Sequence, residues 1–132
     1  MSNKWLFKID LKDESVFDEY ESVLQISFPE ELKSFVIENN ASSPELNGVE
    51  FNGVERVYDE TLSFNRYEDE ASTFLSAMNS VGNKAYLPFA KDPFGNYFCY
   101  CIENGTVCFY NHEEDNIEKG NISFKKFIEV LQ

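Results

Sequence analysis

The three cysteines are the first residues whose types and spacing could support chemistry. Cys99 and Cys101 are separated by one residue, and Cys108 follows soon after them. Three thiols could form a redox pair or part of a metal site, but a structural zinc site normally takes four ligands, often from Cys-x-x-Cys pairs. Cysteine is also among the residues most often buried as a small apolar side chain. We therefore predict that these cysteines are structural and that they bind no metal and no cofactor.

His112 is the only histidine in the sequence. It follows a predicted strand, in a position where active-site residues occur, and imidazole can act as a general base near neutral pH. However, no recognisable motif places a Ser or Cys nucleophile beside it. We interpret His112 as a partly exposed residue that holds a loop by hydrogen bonds. A small hydrolase that uses His112 and nearby carboxylates is kept as an alternative.

The 24 Asp and Glu residues do not single out a catalytic pair. Glycoside hydrolysis needs two carboxylates at a set separation across a cleft, and the sequence distinguishes no such pair. Asp92, together with Gly95 and Asn96, resembles part of a calcium loop, but the alternating ligands and the bidentate glutamate are missing. A tight turn is the simpler interpretation. There is also no glycine-rich phosphate loop, so these residues predict no catalytic site.

Runs of acidic residues are a more informative pattern. Between positions 13 and 32 the chain has seven acidic residues and no Lys or Arg, and Glu14, Asp18 and Glu21 lie on one helical face. Like charges four residues apart weaken an isolated helix slightly, so helix stability does not explain this choice. Glu68-Asp69-Glu70 and Glu113-Glu114-Asp115 are further acidic runs. Two interpretations remain open: a solvated surface, or a surface that binds a basic partner.

The composition describes a folded, strongly acidic protein. The chain has 132 residues, of which 42% are hydrophobic and 16% aromatic, and this excludes intrinsic disorder. Its net charge of −13 argues against direct contact with nucleic acid or an anionic membrane, because phosphate contact needs Lys and Arg. No segment reaches the roughly 20 consecutive apolar residues of a membrane helix, and the first residues lack the features of a secretory signal. We therefore predict a cytoplasmic protein with reduced thiols.

Hydrophobic periodicity predicts the elements that position these residues. In chain order these are a short strand over about 5–11, two helices over about 14–39, a hairpin over about 48–64, a helix over about 69–78, an antiparallel meander over about 85–110 and a helix over about 123–131. This order predicts a single α+β domain over residues 1–132, in which about four helices cover an antiparallel sheet.

Local signals predict several turns and helix starts. Asn52-Gly53 is typical of a two-residue hairpin, because both residues accept a positive φ. Asn104-Gly105 predicts a second such turn, which would place Cys101 opposite Cys108. Ser15 with Asp18 is typical of a capping box, Pro29 of a first helical position and Ser123 of an N-cap.

Four ordered sequence blocks resemble those of the SUKH superfamily, which includes the Smi/Knr-type fungal cell-wall regulators and many bacterial immunity proteins. The resemblance runs from about Val16 to Leu131. The blocks are Phe28-Pro29-Glu30-Glu31-Leu32-Lys33-Ser34-Phe35, then Leu87 to Asp92 with Gly95-Asn96-Tyr97-Phe98-Cys99, then Gly105-Thr106-Val107 leading to Tyr110-Asn111-His112-Glu113, and finally Ile122-Ser123-Phe124-Lys125-Lys126-Phe127. Two positions depart from the family pattern, since Asn39-Asn40-Ala41 replaces Asn-Gly-Gly and Asn111 replaces the more usual Asp.

The resemblance implies an α+β fold without established enzymatic activity. It assigns turn and loop positions to Pro29, Asp92, Gly95, Asn96, His112 and Glu113. It also implies the function of the bacterial members, which bind a cognate toxin, often a nuclease, and block it in the cytoplasm. The acidic balance fits that function, because the active-site grooves of nucleases are basic.

Together, the sequence and the resemblance predict a non-catalytic immunity protein that neutralises a toxin through an acidic surface. The expected partner is a protein with a basic surface, not a nucleic acid or a membrane. The candidate contact residues are Glu14, Asp18, Glu21, Glu113, Glu114 and Asp115. A regulatory or scaffolding module without a toxin partner is the main alternative, ahead of the hydrolase.

Overall fold

The computed structural model describes residues 3–66 and 72–132, which form four helices and nine strands. The helices are α1 (Val16–Leu24), α2 (Glu30–Asn39), α3 (Phe74–Val81) and α4 (Phe124–Glu129). The strands are β1 (Trp5–Leu6), β2 (Ser43–Pro44), β3 (Gly48–Phe51), β4 (Val54–Val57), β5 (Glu60–Thr61), β6 (Tyr86–Lys91), β7 (Tyr97–Cys101), β8 (Thr106–Asn111) and β9 (Asn116–Ser123). The predicted α+β class is confirmed.

The main sheet is antiparallel and contains β5, β6, β7, β8 and β9 in that order. Its centre, β6 to β8, is the meander that the alternating apolar residues predict. Two smaller antiparallel pairs, β1 with β2 and β3 with β4, lie outside this sheet. In the β3–β4 hairpin, Asn52 and Gly53 have φ values of 51° and 81°, as the Asn-Gly signal predicts.

The edge strand β9 has no counterpart among the predicted elements. Its residues are mostly polar, so the sequence has no strong apolar pattern there. The strand is held at the edge of the sheet by backbone hydrogen bonds to one neighbour, β8. Gly120 in this strand is buried. A Cβ atom there would lie 2.5 Å from the Val107 carbonyl oxygen and 2.7 Å from the Phe51 ring. The glycine therefore allows the β3–β4 hairpin to approach the sheet closely.

Aromatic side chains fill the core between the sheet and the helices. Phe98 of β7 packs at ring-centroid distances of 5.1 Å from Phe127 of α4 and 5.2 Å from Phe109 of β8. The neighbouring Cys99 points to the opposite face, since side chains alternate along a strand. There it joins a smaller apolar cluster with Cys101, Cys108, Tyr110 and Val81. The sheet thus separates a large aromatic core from a thiol-containing cluster.

The register between β7 and β8 differs from the predicted one. The predicted two-residue turn would place Cys101 opposite Cys108, whereas in the structure Cys99 lies opposite Cys108. Residues 102–105 form the turn, and the Gly105 N–H donates to the Cys101 carbonyl oxygen at 2.8 Å. A shift by two residues leaves every side chain on the same face, so the alternating pattern does not distinguish the two registers.

The N-terminal strand is shorter than predicted. Only Trp5 and Leu6 are extended and paired, instead of residues 5–11. Phe7 has a φ of 62°, which interrupts the extended backbone, and its side chain is 82% exposed. The predicted alternation of buried and exposed residues is therefore absent, since Trp5 and Leu6 are both half-buried and Ile9 is exposed like Phe7. The hairpin predicted over 48–64 is also shorter, because β3 and β4 end at Val57 and β5 pairs with β6 instead.

The third helix begins and ends later than predicted. It starts at Phe74, where the Thr73 hydroxyl oxygen accepts a hydrogen bond from the Ser76 N–H, and it continues to Val81. The first part of the predicted helix, residues 69–71, lies outside the described residues. Within residues 3–66 and 72–132, no helix is long and apolar enough to span a membrane.

Two predicted helix starts also differ from the structure. Ser15 precedes α1, but its side chain makes no capping hydrogen bond. Instead, its N–H donates to the Asp13 Oδ1 atom at 2.9 Å. Pro29 occupies the N-cap of α2, one residue before the predicted position. Its fixed φ of −62° still suits the entry into the helix.

Candidate functional site

The turn between β6 and β7 is held by the buried carboxylate of Asp92. Its Oδ1 atom accepts hydrogen bonds from the N–H groups of Phe94, at 2.8 Å, and Asn96, at 2.9 Å. Its Oδ2 atom accepts from the Asn96 side-chain amide at 3.0 Å. Gly95 has a φ of +86°, which favours glycine. The turn that contains Asp92, Gly95 and Asn96 is therefore held by hydrogen bonds between its own residues.

His112 connects this turn to the end of β8. Its backbone N–H donates to the Asn96 Oδ1 atom at 3.1 Å. Its ring Nε2 atom lies 2.9 Å from the Phe94 carbonyl oxygen, and because a carbonyl only accepts, Nε2 carries the proton. A Cβ atom on Gly95 would lie 3.3 Å from the same nitrogen. His112 thus braces one turn against the next, and its Nε2 atom is not free to act as a base.

The turn between β8 and β9 presents Glu113, Glu114 and Asp115, all of which are exposed. The Asn111 Oδ1 atom accepts the Glu113 N–H at 3.0 Å and the Glu114 N–H at 3.4 Å. Asp115 accepts a hydrogen bond from the Tyr110 hydroxyl at 2.7 Å. This bond, with burial and the negative charge, raises the pKa of Tyr110 to about 12. The acidic turn is therefore ordered by its own side chains.

The acidic face predicted on the first helix is only partly exposed. Glu14 and Asp18 are exposed, and with Glu30 and Lys33 they line a cleft of about 410 Å³ between α1 and α2. Glu21 is half-buried, and its carboxylate accepts the Phe28 N–H at 2.8 Å. The sequence places Glu21 among the candidate contact residues of this face, but the structure does not expose it as it exposes the other two. This side chain joins the end of α1 to the start of α2.

A comparison with protein families agrees with the ordered motifs. The model of the SMI1 / KNR4 family (SUKH-1) matches residues 12–130. The chain belongs to this family. No curated protein gives a significant match. SUKH proteins are generally non-catalytic and include immunity-like proteins, so the family points to protein partners in general.

The predicted contact residues of this SUKH-1 chain form two separate acidic surfaces. We call Glu14 and Asp18 the helix surface, and Glu113, Glu114 and Asp115 the turn surface. No ion pair among the described residues involves any of these five side chains. The third acidic run, Glu68-Asp69-Glu70, lies outside the described residues.

The structure also presents residues that the sequence reasoning missed. Phe94, at the tip of the β6–β7 turn, is 75% exposed. Arg56 of β4 places its guanidinium 4.2 Å from the centre of the Phe109 ring. It lines a cleft with Asn111, Glu114 and Glu118. Nothing in the sequence around Arg56 signals this contact, because the strands that bring the two residues together are distant in the chain.

The three cysteines of the SUKH-1 chain are free and buried. Burial raises the pKa of the Cys99 thiol well above its usual range, and it also raises the pKa of Cys108. Within the part of the chain that the structure describes, no three His, Cys, Asp or Glu side chains form a group suited to a metal ion. Burial therefore favours the protonated, unreactive form of Cys99 and Cys108.

Proposed function

We propose that this SUKH-1 protein is a non-catalytic immunity protein that binds a protein toxin and neutralises it in the cytoplasm. The main support is the pair of exposed acidic surfaces, which are free of ion pairs within the described residues. Carboxylates that are not neutralised within the chain can pair with Lys and Arg of a partner. Nucleases are one toxin class that fits, because their substrate-binding grooves are basic.

The hydrogen bonds of His112 give this residue a structural role at the site. Both its backbone N–H and its ring Nε2 atom serve to connect two turns. The same bonds hold the acidic turn surface beside the β6–β7 turn. They therefore supply rigidity, which lowers the entropic cost of binding.

The test is to identify the partner and then measure its toxicity. The full chain is used as bait, captured proteins are identified by mass spectrometry, and each is produced separately. The proposal predicts that one of them stops growth when it is expressed alone and loses that effect when this protein is co-expressed. Direct binding of the purified pair is measured alongside.

Two outcomes would favour the alternatives. A partner that binds directly but is not toxic would support a regulatory or scaffolding module. Loss of protection in a folded His112→Ala variant that still binds the toxin normally would support the hydrolase. Normal protection by that variant, with normal binding, agrees with a purely occluding protein.

A further inference from the structure

We propose that Phe94 is the apolar anchor of the partner interface and that the turn surface supplies its charged rim. The inference rests on the proposed function and names the region of contact. The fitting occupant is a protein with an apolar pocket bordered by Lys and Arg. Phe94 would enter the pocket while Glu113 and Glu114 face the basic border.

The Phe94 side chain is not required by the turn that carries it. The turn is held by the carboxylate of Asp92 and the side chain of Asn96, whereas the Phe94 ring is 75% exposed. It makes no ring contact with the other aromatic residues of the described chain. A large aromatic ring exposed at the tip of an ordered turn gains little from folding. Burial in a partner would remove its apolar surface from water.

Hydrogen bonds on both sides hold the Phe94 backbone in place. Its N–H donates to the Asp92 Oδ1 atom at 2.8 Å, and its carbonyl oxygen accepts from the His112 ring at 2.9 Å. His112 is itself fixed by the Asn96 side chain at 3.1 Å. The anchor is therefore presented from a rigid backbone before a partner arrives. Such preorganisation reduces the entropy lost on binding.

The charges next to Phe94 determine the kind of partner. His112, which contacts the Phe94 carbonyl, is followed directly by the exposed Glu113, Glu114 and Asp115. In protein interfaces a buried aromatic residue often contributes affinity, while charged residues at the rim contribute specificity. An acidic rim selects a basic border on the partner.

Phe7 provides a matched comparison within the same chain. Its ring is 82% exposed, even more than that of Phe94. However, it lies between Lys4 and Lys8 and has no acidic turn beside it in sequence. If exposure alone made an anchor, both rings would bind. If the acidic surroundings matter, only Phe94 will.

The experiment compares Phe94→Ala with Phe7→Ala in the full chain. The probe is the purified toxin identified by capture and growth arrest, and binding is followed by surface plasmon resonance. We expect Phe94→Ala to raise Kd by at least about 30-fold, which is the loss of affinity typical of a hot-spot residue, mainly through faster dissociation. The Phe7→Ala variant should bind within about twofold of wild type. Both should keep the wild-type melting temperature, because the two rings are exposed.

A second measurement does not depend on removing the ring. A photo-crosslinking phenylalanine analogue at position 94 should form a covalent adduct with the toxin, whereas the same analogue at position 7 should not. Wild-type affinity in Phe94→Ala, or no adduct from position 94, would overturn the anchor. The proposed function would survive either result if the wild-type chain still neutralised the toxin. Absence of any toxic partner would overturn the proposed function itself.

Discussion

At the scale of single residues, Gly105 determines the conformation of the turn between β7 and β8. Its φ is +74°, and its N–H donates to the Cys101 carbonyl oxygen at 2.8 Å. A Cβ atom there would lie 3.2 Å from the Tyr100 hydroxyl oxygen. That hydroxyl donates to the Glu31 carboxylate at 2.5 Å, so it is not free to move away. Both the backbone and the neighbouring side chain therefore favour glycine.

We expect Gly105→Val to lower the free energy of unfolding by about 1 kcal/mol or more, because a β-branched residue is strained at positive φ. The measurement is urea unfolding followed by circular dichroism. Gly53→Val is the matched control, since Gly53 has a φ of +81° but nothing within 4 Å of its Cβ position. The Gly105 variant should be the less stable of the two. Wild-type stability in Gly105→Val would contradict the observed turn.

Cys99 links residue burial to the pH dependence of stability. Its buried thiol has a pKa well above the usual 9.0, so it stays protonated in the folded protein while the unfolded chain ionises. The unfolded state then binds fewer protons, and stability falls as pH rises above about 9. We expect a shallower loss of stability between about pH 8 and 10 in Cys99→Ala than in wild type, measured by urea unfolding. Equal slopes would mean that this thiol is not protected by burial.

At the scale of elements, the closing helix α4 attaches to the core through aromatic rings. The Ser123 hydroxyl oxygen accepts the Lys126 N–H at 3.2 Å and caps the helix, as predicted. Phe127 is fully buried, with ring centroids 5.1 Å from Phe98 and 6.0 Å from Phe89. A six-residue helix is too short to be stable alone. Its stability therefore comes from this packing.

Truncation of Phe127 to Ala should lower the free energy of unfolding by about 3–5 kcal/mol, because it leaves a cavity in the aromatic core. The effect is measured by chemical denaturation. Lys125→Ala, on the exposed side of the same helix, should change stability by less than about 0.5 kcal/mol. A Phe127→Ala protein as stable as Lys125→Ala would show that α4 is not part of the core.

At the scale of the whole molecule, a net charge of −13 gives the protein a long-range attraction for basic partners. The helix and turn surfaces can direct that attraction. The structure shows which carboxylates can be replaced without loss of a hydrogen bond inside the protein. Glu21 accepts a hydrogen bond from the Phe28 N–H, and Asp115 accepts one from the Tyr110 hydroxyl, so both are left unchanged.

Two double variants test these surfaces: Glu14→Lys with Asp18→Lys, and Glu113→Lys with Glu114→Lys. We expect each to slow association with the toxin strongly at low salt and modestly at about 0.15 M salt or above. The reason is that salt at about 0.15 M screens exposed charges that are more than about 8 Å apart. Association rates are measured by stopped flow across a salt series. Each variant should retain the wild-type fold, since all four positions are exposed.

The control for net charge is Glu50→Lys with Glu55→Lys. These exposed carboxylates lie opposite each other in the β3–β4 hairpin, outside both acidic surfaces. If neither test variant slows association more than this control, the acidic surfaces only solvate the protein and the binding site lies elsewhere.

The local pattern of the sequence determined the elements with strong periodicity. The helices α1, α2 and α4 and the β6–β8 meander could be recognised because helical and strand periods differ, although Val23 of the predicted apolar stripe of α1 is exposed. Asn52-Gly53 and Ser123 carry their turn and capping signals in their own side chains. The ordered motifs likewise identified the family. All of these features depend on residues close together in the chain.

Tertiary structure decided the features that depend on residues far apart. The register of β7 against β8 could not be predicted from alternation, because a shift of two residues leaves each side chain on the same face of the sheet. The strand β9 pairs with β8 through backbone hydrogen bonds, which its polar sequence does not indicate. The burial of Glu21 follows from its bond to Phe28, across the connection between two helices. The exposed position of Phe94 beside His112 and the acidic turn arises because two separate strand ends meet at one end of the sheet. Such contacts form only when the chain folds, and they place the candidate site.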